Sequence, residues 1–228
     1  MSAPCGAQPC AIFDLDGTLA HTAPDLIGTA NDLFAGRGFE PLPLSVAEKT
    51  AGFGGKALIR AAFEFAGKPV DEAEVDALYR PFLDRYAERI CDESVLYDGA
   101  IETLDALTDR GWIIGICTNK PEGLARTLLE RLDVLHRFAG LVGADTLPVR
   151  KPDPVALTTA IDWCGARVGA SIMIGDTDTD RQTARNAGVP CILTGFGYSE
   201  TPVADLAPEA MVQSFPELLE ALEALRPR

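Results

Sequence analysis

Asp14 and Asp16 stand two residues apart in Asp14-Leu15-Asp16-Gly17-Thr18, directly after the apolar run Cys10-Ala11-Ile12-Phe13. Later apolar runs end on residues of matching chemistry. Thr118, Asn119 and Lys120 follow Trp112 to Cys117, and Lys151 follows Leu141-Val142-Gly143 after a short loop. Gly175 and Asp176, then Asp178 and Asp180, follow Ser171 to Ile174. In an open parallel sheet, ligands bind outside the carboxyl ends of the strands, so these side chains are predicted to converge on one edge. Five carboxylates and two lysines gathered there repel or pair badly unless something binds among them. Oxygen ligands of this kind suit a divalent cation, and Mg²⁺ takes one or two carboxylates together with water and substrate phosphate.

The elements that must position these residues follow from the hydrophobic pattern. The four runs above and Pro190 to Leu193 are apolar on both faces and are separated by helical patterns, which points to a parallel sheet covered on each side. Ala100 to Asp109 places Ile101, Leu104 and Leu107 on one helical face, and Pro121 suits the first position of a helix carrying Leu124, Leu128, Leu129 and Leu132. Ser214 with Glu217 reads as a capping box for a last helix packed through Leu218, Leu219, Leu222 and Leu225. From about Ala20 to Tyr97 strand-like runs disappear, and helical segments follow one another: Pro24 to Arg37, Lys56 to Ala66, and one capped by Asp71 and Glu74 that Pro81 is expected to kink or split. The predicted fold is α/β, a doubly wound parallel-sheet (Rossmann-like) core with an inserted small helical cap domain. Residues 1–20 and 97–228 would form the core and 21–96 the cap.

Composition narrows the partners. Net charge is −14, so the long-range field repels nucleic acid and anionic membranes, and no basic run offsets it. The same field repels a phosphorylated substrate. Any phosphate site must therefore be locally positive, built from a metal and a few placed cations. No apolar run approaches the ~18–20 residues of a membrane span. Met1 to Pro9 contains no basic residue, so no secretory signal is expected. Six cysteines, including Cys5, are scattered without a CxxC pair and read as reduced thiols in a cytoplasmic compartment. The expected partner is a small phosphorylated metabolite, with the chain a monomer or homodimer.

The order Asp14-Leu15-Asp16-Gly17-Thr18, Thr118-Asn119-Lys120-Pro121, Lys151-Pro152, and Gly175-Asp176 with Asp180 resembles the four motifs of the haloacid-dehalogenase-like hydrolase superfamily. Ala23-Pro24-Asp25-Leu26, Asp145-Thr146-Leu147-Pro148 and Gly195-Phe196-Gly197-Tyr198 are similar to its phosphoglycolate phosphatase branch. The resemblance spans about residues 10 to 200. It implies a Mg²⁺-dependent phosphatase in which Asp14, the Asp16 backbone carbonyl and Asp176 bind the metal, while Thr118, Asn119 and Lys151 hold phosphoryl oxygens. An aspartate of ordinary pKa, about 3.9, is ionised at neutral pH, so Asp14 can attack phosphorus without an activating base. Asp16 can then serve both half-reactions as proton carrier. Asp180 is expected to orient Lys151 or a metal-bound water, and Asp178 to be a bystander.

Competing chemistries leave the same residues in play. A β-phosphoglucomutase-like phosphotransferase or a pyrophosphatase would share the aspartyl-phosphate. A receiver-like phospho-acceptor switch would gain nothing from Asp16, and a metal-free dehalogenase would not need the acids near Asp176. The run from Asp176 is not an EF-hand, having Arg181 and Ala187 where Gly and Glu are required. Gly52-Phe53-Gly54-Gly55-Lys56 is not a Walker A loop, since Thr50 and Ala57 occupy its defining positions. Gly52, Lys56 and Lys120 are nevertheless candidates to touch substrate. His21 and His136 read as packing or surface residues.

Overall fold

The computed structural model describes residues 8–50, 52 and 54–226; Met1 to Ala7 with Cys5, and Phe53 of the Gly-rich segment, lie outside them. In chain order the elements are β1 (Cys10–Phe13), β2 (Ala20–His21), α1 (Ala23–Phe34), α2 (Leu44–Thr50), α3 (Gly55–Phe65), α4 (Glu72–Arg89), β3 (Val95–Leu96), α5 (Ala100–Asp109), β4 (Ile113–Cys117) and α6 (Glu122–Arg131). They continue with β5 (Gly140–Val142), α7 (Pro154–Trp163), β6 (Ser171–Gly175), α8 (Asp178–Ala187), β7 (Cys191–Thr194), β8 (Ala210–Val212) and α9 (Phe215–Ala224).

Among the described residues six strands form one parallel sheet in the order β5-β4-β1-β6-β7-β8. Its strands are apolar on both faces because both faces are covered, and the pleat sorts successive residues between them. Ala11, Phe13, Ile114, Ile116, Ile172, Ile174 and Ile192 share a core with Leu104, Leu107, Leu128, Leu218 and Leu222 from α5, α6 and α9. Cys10, Ile12, Cys117, Met173, Cys191 and Leu193 pack with Leu157, Ile161 and Ala184 from α7 and α8. The thiols of Cys10, Cys91, Cys117, Cys164 and Cys191 are free. No helix among the described residues is long and apolar enough to cross a membrane.

Helices α1 to α4 occupy the stretch read as helical, α1 and α3 both packing on α4. Phe34, Phe39 and Phe63 form an aromatic cluster with centroids 4.6–5.5 Å apart. β2 and β3 pair antiparallel, Ala20 opposite Leu96 and His21 opposite Val95, so the two ends of this segment leave and rejoin the sheet side by side. Three local expectations need correction. Pro81 does not split the helix, since α4 runs from Glu72 to Arg89 through it. Its buried stripe Val75, Leu78, Phe82 and Tyr86 seats both halves on one surface, which offsets the backbone hydrogen bond that proline removes. Pro121 is the residue before α6 rather than its first. β8 and the β2–β3 ribbon add strands beyond the expected ones, each only two or three residues long, with Met211 and Val95 exposed.

Asp25, wholly buried near the start of α1, closes the base of the helical segment. Its carboxylate accepts the Glu93 and Ser94 backbone N–H groups and the Ser94 hydroxyl, the last at 2.6 Å. Asp25→Ala strands these donors without water. It is expected to cost about 2–4 kcal/mol, read as a lower urea midpoint, with Ser94→Ala costing less.

Candidate active site

Parallel pairing brings the acidic residues together. Phe13 lies opposite Ile174 and the Asp14 N–H donates to the Ile174 carbonyl at 2.8 Å, so Asp14 and Asp176 leave the sheet side by side. β4, on the other flank of β1, delivers Thr118, whose N–H donates to Val142 at 2.9 Å. Lys151 enters from the loop after β5, with the Lys151–Pro152 peptide bond cis. Its Nζ sits 2.9 Å from Asp14 Oδ2 and 2.6 Å from Asp180 Oδ1. Asp180 is fixed from behind, where Oδ2 accepts the Thr177 hydroxyl at 2.7 Å and the Thr177 N–H at 3.1 Å. Asp176 accepts the Thr18 hydroxyl at 2.8 Å and the Tyr198 N–H at 2.6 Å. Gly17 turns the chain at φ +83°, and a Cβ there would strike the Asp176 carboxylate and the Tyr198 ring.

A second charge pair lies beside the first. Lys120 Nζ donates to Asp16 Oδ1 at 2.8 Å and to the Tyr86 hydroxyl at 2.8 Å. The same Asp16 oxygen accepts the Thr22 hydroxyl at 2.6 Å. Asp14, Asp16, Thr118 and Lys120 line a cavity of about 40 Å³ roofed by Tyr79, Phe82 and Tyr86 of α4, room for a phosphoryl-sized group. A second cavity of about 310 Å³ shares Gly52, Gly54, Gly55, Tyr79 and Asn119 with it. Its charged lining residues are Lys56, Arg60, Arg150 and Lys151, all basic. Lys56 and Arg60 are paired with Asp76 and Glu72, and Lys151 with Asp14 and Asp180, so among the described residues Arg150 is the cation of this lining with no carboxylate in an ion pair.

Burial dominates the proton equilibria. It pushes Asp14 up to about 6, an effect that Lys151 partly offsets. Burial raises Asp176 well above the usual carboxylate range, and Asp180 and Asp14 add to it. Burial alone would lower Lys151, yet the carboxylates of Asp14 and Asp180 outweigh it and hold the ammonium above its ordinary value. Oxygens of Asp14, Asp176 and Asp180 lie within 4.8 Å of one another. Three carboxyl groups around one ammonium repel one another in this buried cluster. A hard divalent cation fits a donor set of three carboxyl groups whose oxygens lie this close together.

The residues singled out from sequence divide by surroundings. Asp14, Asp176, Asp180 and Lys151 form one cluster, with Asp16, Thr118 and Lys120 adjoining it across the smaller cavity. Asn119 turns its amide to the Lys151 carbonyl at 3.1 Å and ties the two loops. Lys56 pairs with Asp76 of α4 at 2.5 Å, and Gly52 lines both the basic cavity and the smaller one. Asp178 is exposed at the start of α8, and His21 Nδ1 lies 3.1 Å from the Tyr198 hydroxyl. Thr18, Thr22, Tyr86 and Arg150 were not anticipated. Thr18 lies inside the first motif, whereas Tyr86 is hidden in an ordinary amphipathic stripe.

Residues 11–194 match the haloacid dehalogenase-like hydrolase family, and the chain belongs to it. It is 41% identical over 215 residues, 94% of this chain and 92% of the relative, to a phosphoglycolate phosphatase of Agrobacterium fabrum. It is 40% identical to one of Caulobacter vibrioides, covering 92% and 88%. Among solved structures, a predicted phosphoglycolate phosphatase from Haemophilus somnus superposes with TM-score 0.85 at 28% identity, covering 95% of this chain and 98% of that one.

The raised pKa of Asp176 has a definite sign for stability. An acid whose folded pKa exceeds the unfolded value, about 3.9, binds its proton more tightly when folded. Its ionisation therefore destabilises the fold increasingly from the unfolded pKa up to the folded one. Asn can accept the Tyr198 N–H and donate to the Thr18 hydroxyl. Asp176→Asn is thus expected to raise the Tm of the metal-free protein at pH 7.5 by about 2–6 °C and to abolish the Tm increase expected of Mg²⁺ with the unmodified chain, both by differential scanning fluorimetry.

Proposed function

We propose that this chain is a phosphomonoester hydrolase acting through an aspartyl-phosphate on Asp14, with 2-phosphoglycolate as substrate and glycolate and phosphate as products. The observation carrying the mechanism is the Asp14 carboxylate held 2.9 Å from Lys151 at a phosphoryl-sized cavity that Asp16 also lines. Similarity of about 40% to phosphoglycolate phosphatases over nearly the whole length of both chains supports the substrate. Arg150, a cation of the neighbouring cavity outside the ion pairs of Lys56, Arg60 and Lys151, suits a phosphate ester that bears a carboxylate.

In the first half-reaction a carboxylate oxygen of Asp14 bonds to phosphorus as the bond from phosphorus to the alkoxide oxygen breaks. The electron pair leaves with that oxygen, which takes a proton from Asp16. In the second, a water oxygen attacks phosphorus and gives its proton to Asp16, and the bond to Asp14 breaks, restoring the carboxylate. Lys151 and the Thr118 hydroxyl hold phosphoryl oxygens, since phosphoryl transfer is mostly positioning and charge neutralisation. Mg²⁺, held by Asp14, the Asp16 carbonyl and Asp176, would supply charge neutralisation at the transferring group. Residues 21–96 would act as the cap that excludes water over a core of 1–20 and 97–228, and the free thiols suit a cytoplasmic enzyme.

Asp14→Asn is expected to lower kcat at least about 10³-fold, and full retained turnover would remove the covalent mechanism. Asp16→Asn is expected to keep the Mg²⁺-induced rise in Tm while losing most turnover; loss of metal binding would overturn the division of roles between the two aspartates. A screen of 2-phosphoglycolate, pyrophosphate, hexose phosphates and nucleotides, read as kcat/KM, tests the substrate.

A further inference from the structure

We propose that Tyr86 is a positioning residue for Asp16, acting through Lys120, so that the proton carrier is in place only while α4 lies against the sheet edge. The inference rests on the hydrolytic reading above and adds to it a link between the helical segment and the chemistry. Lys120 is buried, its side chain 3% exposed, and a buried ammonium must find acceptors. It has Asp16 Oδ1 and the Tyr86 hydroxyl, each at 2.8 Å, and its Nζ stands 4.5 Å over the Tyr86 ring. Tyr86 is itself buried, at the end of the apolar stripe by which α4 packs. Lys120 belongs to the loop after β4, so the chain Tyr86–Lys120–Asp16 crosses from a helix of the insertion, over that loop, to the loop after β1.

Geometry at Asp16 gives the chain its consequence. Both contacts that orient this carboxylate, from Lys120 and from the Thr22 hydroxyl, fall on Oδ1. Among the described residues Oδ2 carries no hydrogen bond, which leaves it to exchange a proton where Asp16 lines the cavity. Thr22 immediately precedes α1 and Tyr86 lies in α4, so both ends of the helical segment contribute to fixing one oxygen. Displacing α4 removes the Tyr86 hydroxyl from Lys120 and frees the ammonium to swing, taking with it one of the two restraints on Asp16. The proton carrier is then aimed only in the arrangement that also covers the phosphoryl cavity.

Tyr86→Phe keeps the ring and removes the hydroxyl. The readout is kcat/KM for an alkyl phosphate (2-phosphoglycolate, or the best alkyl ester of the screen) against that for 4-nitrophenyl phosphate. The nitrophenolate leaves without a proton, and kcat/KM reports only steps through phosphoryl transfer. The alkyl-to-aryl ratio is expected to fall about tenfold, with KM for the alkyl ester changed less than about twofold. Lys120→Met should lower the ratio further, and the double variant should be no worse than Lys120→Met alone, as required of residues acting in series. An equal loss with both substrates, as a packing defect would give, overturns the proposal; so does additivity of the two variants. A failure of the underlying reading shows separately, as turnover retained by Asp14→Asn.

Discussion

Burying carboxylates in excess of cations at the end of a parallel sheet is the constraint on which the rest of this molecule depends. Asp14 and Asp176 leave adjacent strands side by side with Asp180 close behind, and among the described residues Lys151 is the cation that pairs with them. Apolar layers close both faces of the strands behind them, while Asp14 opens on the smaller cavity at the sheet edge. Burial and mutual repulsion therefore hold the Asp14 and Asp176 carboxyls above the usual carboxylate range, and a divalent cation fits the donor set they form. Rigid β1 and β6 cannot part to separate the charges, because Phe13 and Ile174 are locked in register.

Asp16 shows the opposite solution only two residues away. It is matched one to one by Lys120 and tied to Thr22, and it faces a cavity rather than another acid. The two aspartates of one motif thus sit in different environments: one in a crowded acidic cluster beside an ammonium shared with Asp180, the other in a closed ion pair. The helical segment reinforces the division, since α4 contributes Tyr86 to the ion pair and makes no contact with the cluster around Asp176 that the hydrogen-bond network records.

Much of this was legible in the sequence for a definite reason. A strand buried on both faces must be continuously apolar, and the polar residue that ends it stands at the sheet edge. Cys10–Phe13 before Asp14, and Ser171–Gly175 before Asp176, were therefore readable as strand and site together. Elements without that contrast were not. β8 is short and exposed at the sheet margin, and β2 with β3 depend on each other across a long segment of chain. Pro81 misled because its local cost is fixed while the packing of Val75, Leu78, Phe82 and Tyr86 that outweighs it is not written in neighbouring residues.

By itself the sequence determined which residue types reach the edge of the sheet and in what order, because backbone periodicity and strand burial are local properties. Asp14, Asp16, Thr118, Lys151, Asp176 and Asp180 follow from it, as does the need for a positive site on an acidic chain. The tertiary structure alone decided the partners. That Lys151 would bridge Asp14 and Asp180, that Lys120 would turn to Asp16 and Tyr86, and that Arg150 would join Lys56 and Arg60 around one basic cavity depended on where separate segments meet. Charge pairing and desolvation act through space, over contacts between residues 34, 104 and 137 positions apart in these cases, and no local pattern encodes such distances.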